Sequence, residues 1–345
     1  MQASTIGIDL AKLTFQIHGV DAAGKVVVRK AIGRGQMTAF FANINPCLIG
    51  MEACASAHHW ARKLGSMGHT VRLMAPQFVK PYVKTNKNDA ADAEAICEAV
   101  RRPNMRFVPI KNMEQQAVLA LHRARQGFVK ARTAQANQIR GMLAEFGLII
   151  PQGIHHIAPR VPDLLEDASN ALPGLFRLTV QRLLDNFKEL SKQVEELEKQ
   201  IAAWAREHES CKRLQQIPGV GPITASAIVA SVGDARFFRN ARQLAAWLGI
   251  VPKQHSSGGK QNLLGISKRG DVYLRTLLIH GARCVVYRAR GHAGPETWLT
   301  KLMKRAHANV AAVALANKNA RIIWALLTGD AQYEPDHVST RGTPA

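Results

Sequence analysis

The sequence predicts a chain of two structural classes, an α/β domain followed by all-α regions, and three observations predict it. The first 75 residues alternate short apolar strand patterns with helical patterns, as α/β domains do. Residues 176–204 repeat apolar side chains at alternating steps of four and three residues, which is the period of a coiled coil. Residues 209–329 show helical periodicity with tight glycine turns.

The α/β domain opens with three strand patterns, STIGIDL, LTFQIHGV and KVVVRKAI. The segment DAAGK between the second and the third is typical of a hairpin turn. A helical segment follows, then a strand CLIGMEA, a helix around Trp60 to Met67 and a strand HTVRLMA. Residues 86–101 predict a capped helix and residues 113–146 a longer one. We therefore expect a first domain over residues 1–146.

Residues 147–174 are rich in proline, glycine and histidine, which marks a boundary. The next segment has an unbroken heptad seam with charged residues between its members. The seam consists of Phe176, Val180, Leu183, Phe187, Leu190, Val194, Leu197, Ile201 and Trp204. It favours a coiled coil that joins protomers into a dimer or tetramer; the alternative is a helix packed on its own domain. Linker and coiled coil together occupy residues 147–208.

The C-terminal part, residues 209–330, is predicted to be helical and to end with Gly329 as a helix cap. The segment LQQIPGVGPITASAIVASVGD contains a tight turn between two helical stretches, which resembles a helix-hairpin-helix. Gly219 and Gly221 would let backbone N–H groups approach a DNA phosphate; the alternative is a hairpin that only packs. Residues 331–345 lack periodicity and are expected to be a disordered tail.

The charge balance indicates a polyanionic partner. The chain has 46 lysine and arginine residues against 25 acidic ones, a formal net charge of +21, and nucleic acid is the first expectation. No apolar run is seen to reach the roughly 18 residues that span a bilayer, and the N-terminus lacks a signal-peptide layout. We expect a cytoplasmic, nucleoid-associated protein without a membrane partner. Five cysteines without a CxxC pair are expected to be reduced and mostly buried.

Two segments concentrate the positive charge. Residues 236–305 hold 14 lysines and arginines against two acids, and residues 121–141 hold five against none. A solvated face normally mixes both signs, so these segments predict two surfaces that contact phosphates, without base specificity. The residues expected to bind nucleic acid are Arg123, Arg125, Lys130, Arg132, Lys260, Lys268 and Arg269.

Four carboxylates are candidates for a metal site. Asp9 ends the first strand pattern and Glu52 a later one, where α/β folds place their chemistry. Asp89 and Asp92 are three residues apart, on one face of a helix start. Singly, each acid has a structural explanation as a cap or a partner of the helix dipole. Jointly they form the set that an RNase H-like site requires to hold two divalent ions beside a phosphodiester, and Mg²⁺ is the expected cofactor.

The segment HSSGGK, residues 255–260, has the composition of a solvated turn, yet it lies within the basic segment. Its serines are candidate nucleophiles for a DNA phosphate. Taken alone, the residues leave both interpretations open.

Five motifs together resemble a known family, the DEDD-type insertion-sequence transposases, which are relatives of the Piv-like DNA invertases. The resemblance runs from about residue 5 to about residue 329, and Ala55 departs from it where relatives often carry glycine. The motifs are GIDLAK, GMEAC, KNDAADAEAI, IPGVGPITA and SSGGKQNLLGISKRGDVYLRTLLIHGAR.

The resemblance implies a RuvC-like domain, a coiled-coil middle and a helical transposase domain. It implies that Asp9, Glu52, Asp89 and Asp92 bind Mg²⁺ and that Ser257 forms a covalent bond to DNA, with Ser256 as the neighbouring candidate. Members of the family use a structured guide RNA encoded by the element, act on donor and target DNA, and assemble as oligomers. The two halves of an active site then come either from one subunit or from different subunits, and the sequence leaves both arrangements open. The expected function is therefore that of an RNA-guided, Mg²⁺-dependent transposase or recombinase of an insertion sequence, which cuts and rejoins DNA through a phosphoserine intermediate.

Two other functions fit the same residues. A RuvC-like endonuclease would cut DNA through metal-activated water, with the serine loop only binding backbone. An architectural DNA- or RNA-binding protein would have no catalytic use for the acids.

Overall fold

The computed structural model describes residues 2–84, 88–290, 297–329 and 332–335. The chain divides into two compact units, Met1–Glu114 and Gln115–Ala345. This division places most of the long basic helix in the second unit, whereas the predicted first domain extended to residue 146.

The first unit is a mixed α/β structure. Its strands are β1 (Thr5–Leu10), β2 (Thr14–Val20), β3 (Val26–Gly33), β4 (Leu48–Glu52), β5 (Thr70–Met74) and β6 (Phe107–Val108), and its helices are α1 (Met37–Ala42), α2 (Ala57–Gly65), α3 (Pro76–Val79) and α4 (Asp89–Val100). These agree with the strands and helices expected from the sequence, apart from the short α3 and β6. Residues 86 and 87 of the predicted helix lie outside the described residues.

The strands form one six-stranded sheet in the order β3-β2-β1-β4-β5-β6. The first three strands pair antiparallel, β4 and β5 lie parallel to β1, and β6 is antiparallel. One face packs on α1 and α2 through apolar side chains such as Ile8, Met51 and Trp60. The other face carries α4, whose Ile96 and Val100 belong to a second core. The sheet is thus covered on both faces, which explains the apolar character of β1 and β4.

The second unit is almost entirely helical. Its helices are α5 (Met113–Ala144), which starts two residues before the division, α6 (Ile157–Glu166), α7 (Gly174–Glu207), α8 (Glu209–Gln215), α9 (Pro222–Val232), α10 (Ala241–Trp247), α11 (Val272–Arg290), α12 (Trp298–Arg305) and α13 (Ala308–Thr328); a small hairpin consists of β7 (Pro252–Gln254) and β8 (Leu263–Ile266). Helix α6 was not predicted, because its prolines are typical of a connection, and the β7–β8 hairpin was not predicted either.

Helices α5 and α7 lie side by side and antiparallel. Asn186 donates a hydrogen bond to Gln135 at 2.6 Å, and the rings of Phe146 and Phe176 lie 4.1 Å apart. Arg125, near the start of α5, pairs with Glu198, near the end of α7. As the residue number rises along α5 it falls along α7, so the two helices form a long hairpin.

This hairpin corrects the interpretation of the heptad seam. Val180, Phe187, Val194 and Ile201, which recur every seven residues, are fully buried within the chain. An antiparallel pair within one chain has the same 3.5-residue period as an intermolecular coiled coil. The seam is therefore packed on its own chain and does not offer these side chains to a second protomer, and oligomerisation stays a prediction.

The C-terminal helices pack around α13, whose Ala312, Ala316 and Ile323 are buried in the largest core. Helix α13 is long and apolar enough to cross a membrane by length and composition, although the sequence analysis saw no such run. Buried core helices have the same length and composition, and α13 contributes to the core of the second unit. Gly329 caps this helix as predicted. Of the predicted tail, only residues 332–335 are described, and Tyr333 packs against the core.

A buried histidine joins three helices of the second unit. His122 of α5 lies 2.9 Å from the Tyr273 hydroxyl of α11 and 3.0 Å from the Ser226 hydroxyl of α9. Ser226 donates its own proton to the Pro222 carbonyl at 2.7 Å, so it accepts from His122 Nε2, and Nδ1 accepts from Tyr273. Burial lowers the pKa of His122 to about 4, which keeps the imidazole neutral in this role.

All five cysteines are free, and Cys47, Cys97 and Cys211 are buried. Burial raises the pKa of the Cys211 thiol to about 12. The expectation of mostly buried cysteines is confirmed.

Candidate functional site

Two glycines let helix α4 lie directly on the sheet. A Cβ atom at Gly7 of β1 would overlap the Ala93 carbonyl oxygen and the Cys97 nitrogen of α4, and one at Gly50 of β4 would lie 2.7 Å from the Cβ of Val100. Any larger residue at either position would push the helix outwards. Neither glycine was predicted to have this role, although each stands two residues before a candidate acid.

The spacing between glycine and acid has a geometric consequence. Alternate residues of a strand face the same side, so Asp9 faces the side of Gly7 and Glu52 the side of Gly50. Strands β1 and β4 are parallel and pair Gly7 with Gly50, which places both acids at the same edge of the sheet. The face that touches α4 thus ends in two carboxyl groups.

Helix α4 contributes the other two acids from its first turn. Asn88 caps the helix, its side chain accepting a hydrogen bond from the Ala90 N–H at 3.0 Å. Asp89 lies four residues before Ala93, and therefore one turn from the point where α4 touches β1. Asp89 and Asp92 also lie at the positive end of the helix dipole, which favours negative charge there.

Three of the four carboxylates converge. One oxygen from each of Asp9, Asp89 and Asp92 can be chosen so that all three lie within 4.8 Å of one another. Asp9 and Asp92 are half-buried and Asp89 is exposed. Hard oxygen ligands at this spacing suit a divalent cation such as Mg²⁺, so the residues present fit the metal that the sequence analysis expected.

Glu52 adjoins this cluster without belonging to the set of three. Burial raises the pKa of its carboxyl group, and the negative charges of Asp9 and Asp92 raise it further. The same field acts on Cys54, whose pKa burial and the charges of Glu52 and Asp9 also raise. Like charges held this close favour a bound cation.

The predicted serine loop is the turn of a β-hairpin rather than an irregular segment. Strands β7 and β8 pair antiparallel, and the bridge between Ser257 and Lys260 continues the ladder to the turn. Gly258 and Gly259, the two turn residues, have φ of +55° and +76°. Positive φ at both positions is the signature of a type I′ turn, which matches the twist of the flanking strands.

The hairpin distinguishes the two serines. The Ser256 hydroxyl accepts a hydrogen bond from the Asn262 N–H across the hairpin at 3.3 Å. Ser257 is exposed beside the turn, and its backbone carbonyl accepts from the Lys260 N–H at 3.1 Å. Paired residues carry their side chains on the same face of a hairpin. We therefore expect the Lys260 ammonium to lie beside the Ser257 hydroxyl.

Some of the basic residues predicted to contact phosphates are exposed to solvent, and others are half-buried or already paired with an acid. Arg123 and Lys130 are exposed on α5, and Lys260, Lys268 and Arg269 are exposed on or just after the β-hairpin. Arg125 is not available, because it pairs with Glu198 through a 2.8 Å hydrogen bond and its side chain is only 17% exposed. Arg132 is half-buried, and its Nε atom is buried without a hydrogen-bond partner.

The two glycines of the α8–α9 turn differ in their surroundings, since Gly219 is packed against α11 and Gly221 is exposed. A Cβ at Gly219 would lie 2.8 Å from the carbonyl carbon of Gly281 in α11, so close packing explains this glycine without a phosphate. Gly221 is exposed at the start of α9, and its role as a phosphate contact stays a prediction.

The chain combines a carboxylate cluster on an α/β sheet with a basic helical unit that carries an exposed serine. This combination is typical of enzymes that act on nucleic acid. Two family models match the chain. The model described as "Transposase IS116/IS110/IS902 family" covers residues 211–297, and the IS110-type DEDD model described as "Transposase" covers residues 6–147.

Relatives match over nearly the whole chain. "Probable family 20 transposase" of Pseudomonas aeruginosa is 53% identical, covering 97% of this chain and 100% of the relative. "Transposase for insertion sequence element IS1111A" of Coxiella burnetii is 45% identical over 95% and 90% of the two chains. "Transposase for insertion sequence element IS1328" of Yersinia enterocolitica is 43% identical over 94% and 96%.

The chain therefore belongs to the IS110/IS116 family of DEDD transposases, and it is a DNA-acting enzyme of an insertion sequence. The family membership expected from the five motifs is confirmed.

Proposed function

We propose that this transposase cuts and rejoins DNA through a serine that becomes covalently bound to a DNA phosphate, with Asp9, Glu52, Asp89 and Asp92 holding Mg²⁺. The observation that carries the proposal is the convergence of three carboxylates within 4.8 Å. The order and directions of the strands are consistent with the RuvC-like fold that the resemblance implies.

In this mechanism Ser257 Oγ attacks the phosphorus of a phosphodiester. The Oγ–P bond forms, the bond from phosphorus to a deoxyribose oxygen breaks, and that oxygen takes up a proton while the serine proton passes to a base. The phosphoserine conserves the energy of the broken bond, and a DNA hydroxyl that later attacks it restores the serine. Mg²⁺, when bound, supplies stabilisation for the negative charge that develops on the phosphate oxygens.

The chain's own residues would position and neutralise the DNA. Lys260, paired with Ser257 across the turn, would contact the phosphate under attack. Exposed Lys268 and Arg269 would hold the neighbouring backbone. Arg123 and Lys130 would form a second contact, which suits an enzyme that handles donor DNA, target DNA and the structured guide RNA that the resemblance implies. Oligomeric assembly and association with the nucleoid belong to the same proposal.

Covalent trapping tests the serine. End-labelled DNA from the element's junction is incubated with the protein, the element's RNA and Mg²⁺, and then denatured. We expect a protein–DNA adduct that Ser257→Ala abolishes and that the matched control Ser256→Ala retains. An adduct that persists in Ser257→Ala would remove this serine from the mechanism. Cleavage without any adduct would favour the metal-dependent endonuclease.

Metal binding is tested separately by thermal unfolding with Mg²⁺ or with a chelator. Mg²⁺ should raise the Tm of the wild-type protein, because it binds only the folded cluster. Asp92→Asn should lose that rise and should unfold at a higher temperature than the wild type in chelator, since one repelling charge is gone. If a variant that lacks all four acids retained every measured activity, the architectural interpretation would replace this proposal.

A further inference from the structure

The second unit has a large apolar groove between the β-hairpin and α13. It encloses about 1190 Å³. Leu264 and Val310 are large aliphatic residues in its lining that remain about half exposed, and Trp298 stands at one end under the Lys318 ammonium, which lies 5.1 Å from the ring centroid. We call this surface the apolar groove; its main lining residues are Leu264, Ile266, Trp298, Val310, Val313 and Tyr333. Open apolar surface of this extent marks an interaction site.

The same chain presents a second unpartnered apolar surface at the end of the α5–α7 hairpin. Phe146, Ile149, Leu175 and Leu178 are 43%, 74%, 79% and 66% exposed. They lie at the same end of the hairpin, because Phe146 contacts Phe176, the neighbour of Leu175. We call these four residues the apolar tip.

The groove's chemistry favours an aliphatic protein surface as its occupant. The lining is mostly apolar, and its polar side chains, among them Asn309, Asn317 and Glu334, are a minority. A mostly apolar lining suits an apolar partner better than it suits phosphates and sugars. The chain segments next to the groove in sequence have few large aliphatic residues that could fill it. Residues 336–345 contain one, Val338, and residues 291–296 contain none. The apolar tip carries four large apolar side chains. The groove lining has two cations, Lys318 and Arg321, against one acid, Glu334. The exposed Glu145 beside the apolar tip complements this net positive charge.

We propose that the apolar tip of one copy docks in the apolar groove of a second copy. Such a contact joins two different surfaces of identical chains, so it can close into a ring or a reciprocal dimer. Strand β8 forms one wall of the groove and leads back to the turn that carries Ser257. Docking would therefore brace the serine hairpin of the neighbouring copy. The contact does not depend on the chemistry proposed for that serine.

Sedimentation velocity of the full-length protein tests the contact. Measurements use a concentration series at high salt without nucleic acid, where charge-mediated contacts are screened. The tip variant combines Leu175→Glu with Leu178→Glu, and the groove variant combines Leu264→Glu with Val310→Glu. All four positions are exposed, so both variants should keep the native circular-dichroism spectrum. Each variant alone should associate about thirtyfold more weakly than the wild type, as expected when a central anchor is lost.

Mixing the two variants gives the decisive result. The tip variant keeps an intact groove and the groove variant an intact tip, so an equimolar mixture should regain a one-to-one complex. Leu13→Glu, at another exposed leucine, is the matched control and should associate like the wild type.

Any of four results would overturn the proposal. These are a monomeric wild-type protein at every concentration, normal association of the groove variant, no complex in the mixture, and a groove variant that loses oligonucleotide affinity while its self-association is unchanged. The last result would assign the groove to nucleic acid.

Discussion

Gly7 of β1 and Ala93 of α4 touch backbone to backbone, with no room for a side chain between them. Asp9 lies two residues after Gly7 along β1, and Asp89 lies one helical turn before Ala93 in α4. This contact therefore fixes how closely the two carboxylates approach.

Gly7→Ala should move α4 away from the sheet and disperse the carboxylates. We expect a loss of about 2 kcal/mol in the free energy of unfolding, as for other overpacked sites, together with loss of Mg²⁺-dependent stabilisation and of DNA cleavage. Denaturant unfolding with and without Mg²⁺ measures the first two effects. Gly65→Ala is the control, because a Cβ there meets nothing within 4 Å. A Gly7→Ala protein with wild-type metal response would contradict the argument.

The turn beside Ser257 should tolerate asparagine but not valine. Asparagine adopts positive φ readily, whereas a β-branched residue does not. Gly258→Asn should therefore retain DNA strand transfer, and Gly258→Val should lose most of it. Gly258→Asn should unfold near the wild-type denaturant midpoint, because residue 258 is exposed and its Cβ meets no neighbour. Gly258→Val should unfold at a lower denaturant concentration, because a β-branched residue is strained at positive φ. Equal activity of the two variants would show that turn geometry is unimportant.

Two arginines of α5, two positions apart, should respond oppositely to alanine substitution. Arg123→Ala should weaken DNA binding and reduce the slope of log affinity against log salt by about one phosphate contact, with no change in stability. Arg125→Ala breaks the pair with Glu198 and should cost about 1 kcal/mol of stability while leaving the salt slope unchanged. Fluorescence anisotropy at several salt concentrations and denaturant unfolding distinguish them. A changed salt slope in Arg125→Ala would restore it as a DNA contact.

His122 should make the protein less stable in mild acid. Its folded pKa is about 4 against an ordinary value of 6.5, so between these values the unfolded chain binds the additional proton. Stability attributable to this residue is complete above pH 6.5, falls as the pH is lowered through this window, and is lost below pH 4. The linkage amounts to about 3 kcal/mol at most.

His122→Gln tests this linkage by denaturant unfolding between about pH 7.5 and about pH 4.5. This range covers most of the interval between the unfolded and folded pKa values of His122. The variant should be less stable than the wild type at neutral pH, because Tyr273 and Ser226 lose their shared partner. Its stability should depend less on pH. Parallel pH profiles for the two proteins would assign the acid sensitivity to other groups.

Most of the first unit could be predicted from sequence because its signals are local. The strand patterns around Asp9 and Glu52, the DAAGK turn and the helix that begins beside Asp89 each depend on a few neighbouring residues. The position of α6 was missed because its prolines resemble a linker, although Pro159 lies in the first turn, where its missing N–H costs little.

The sequence by itself determined most elements of the first unit, the family and the list of acids and serines, since these follow from local patterns and motif order. Only the tertiary structure decided which residues meet. It showed that the heptad seam packs within its own chain, that Arg125 pairs with Glu198, and that the Ser256 hydroxyl accepts a hydrogen bond across the hairpin beside Ser257. It also showed that Gly7 and Gly50 let α4 lie directly on the sheet. A periodic pattern specifies that a face is buried, but the identity of the surface that buries it depends on how distant segments pack.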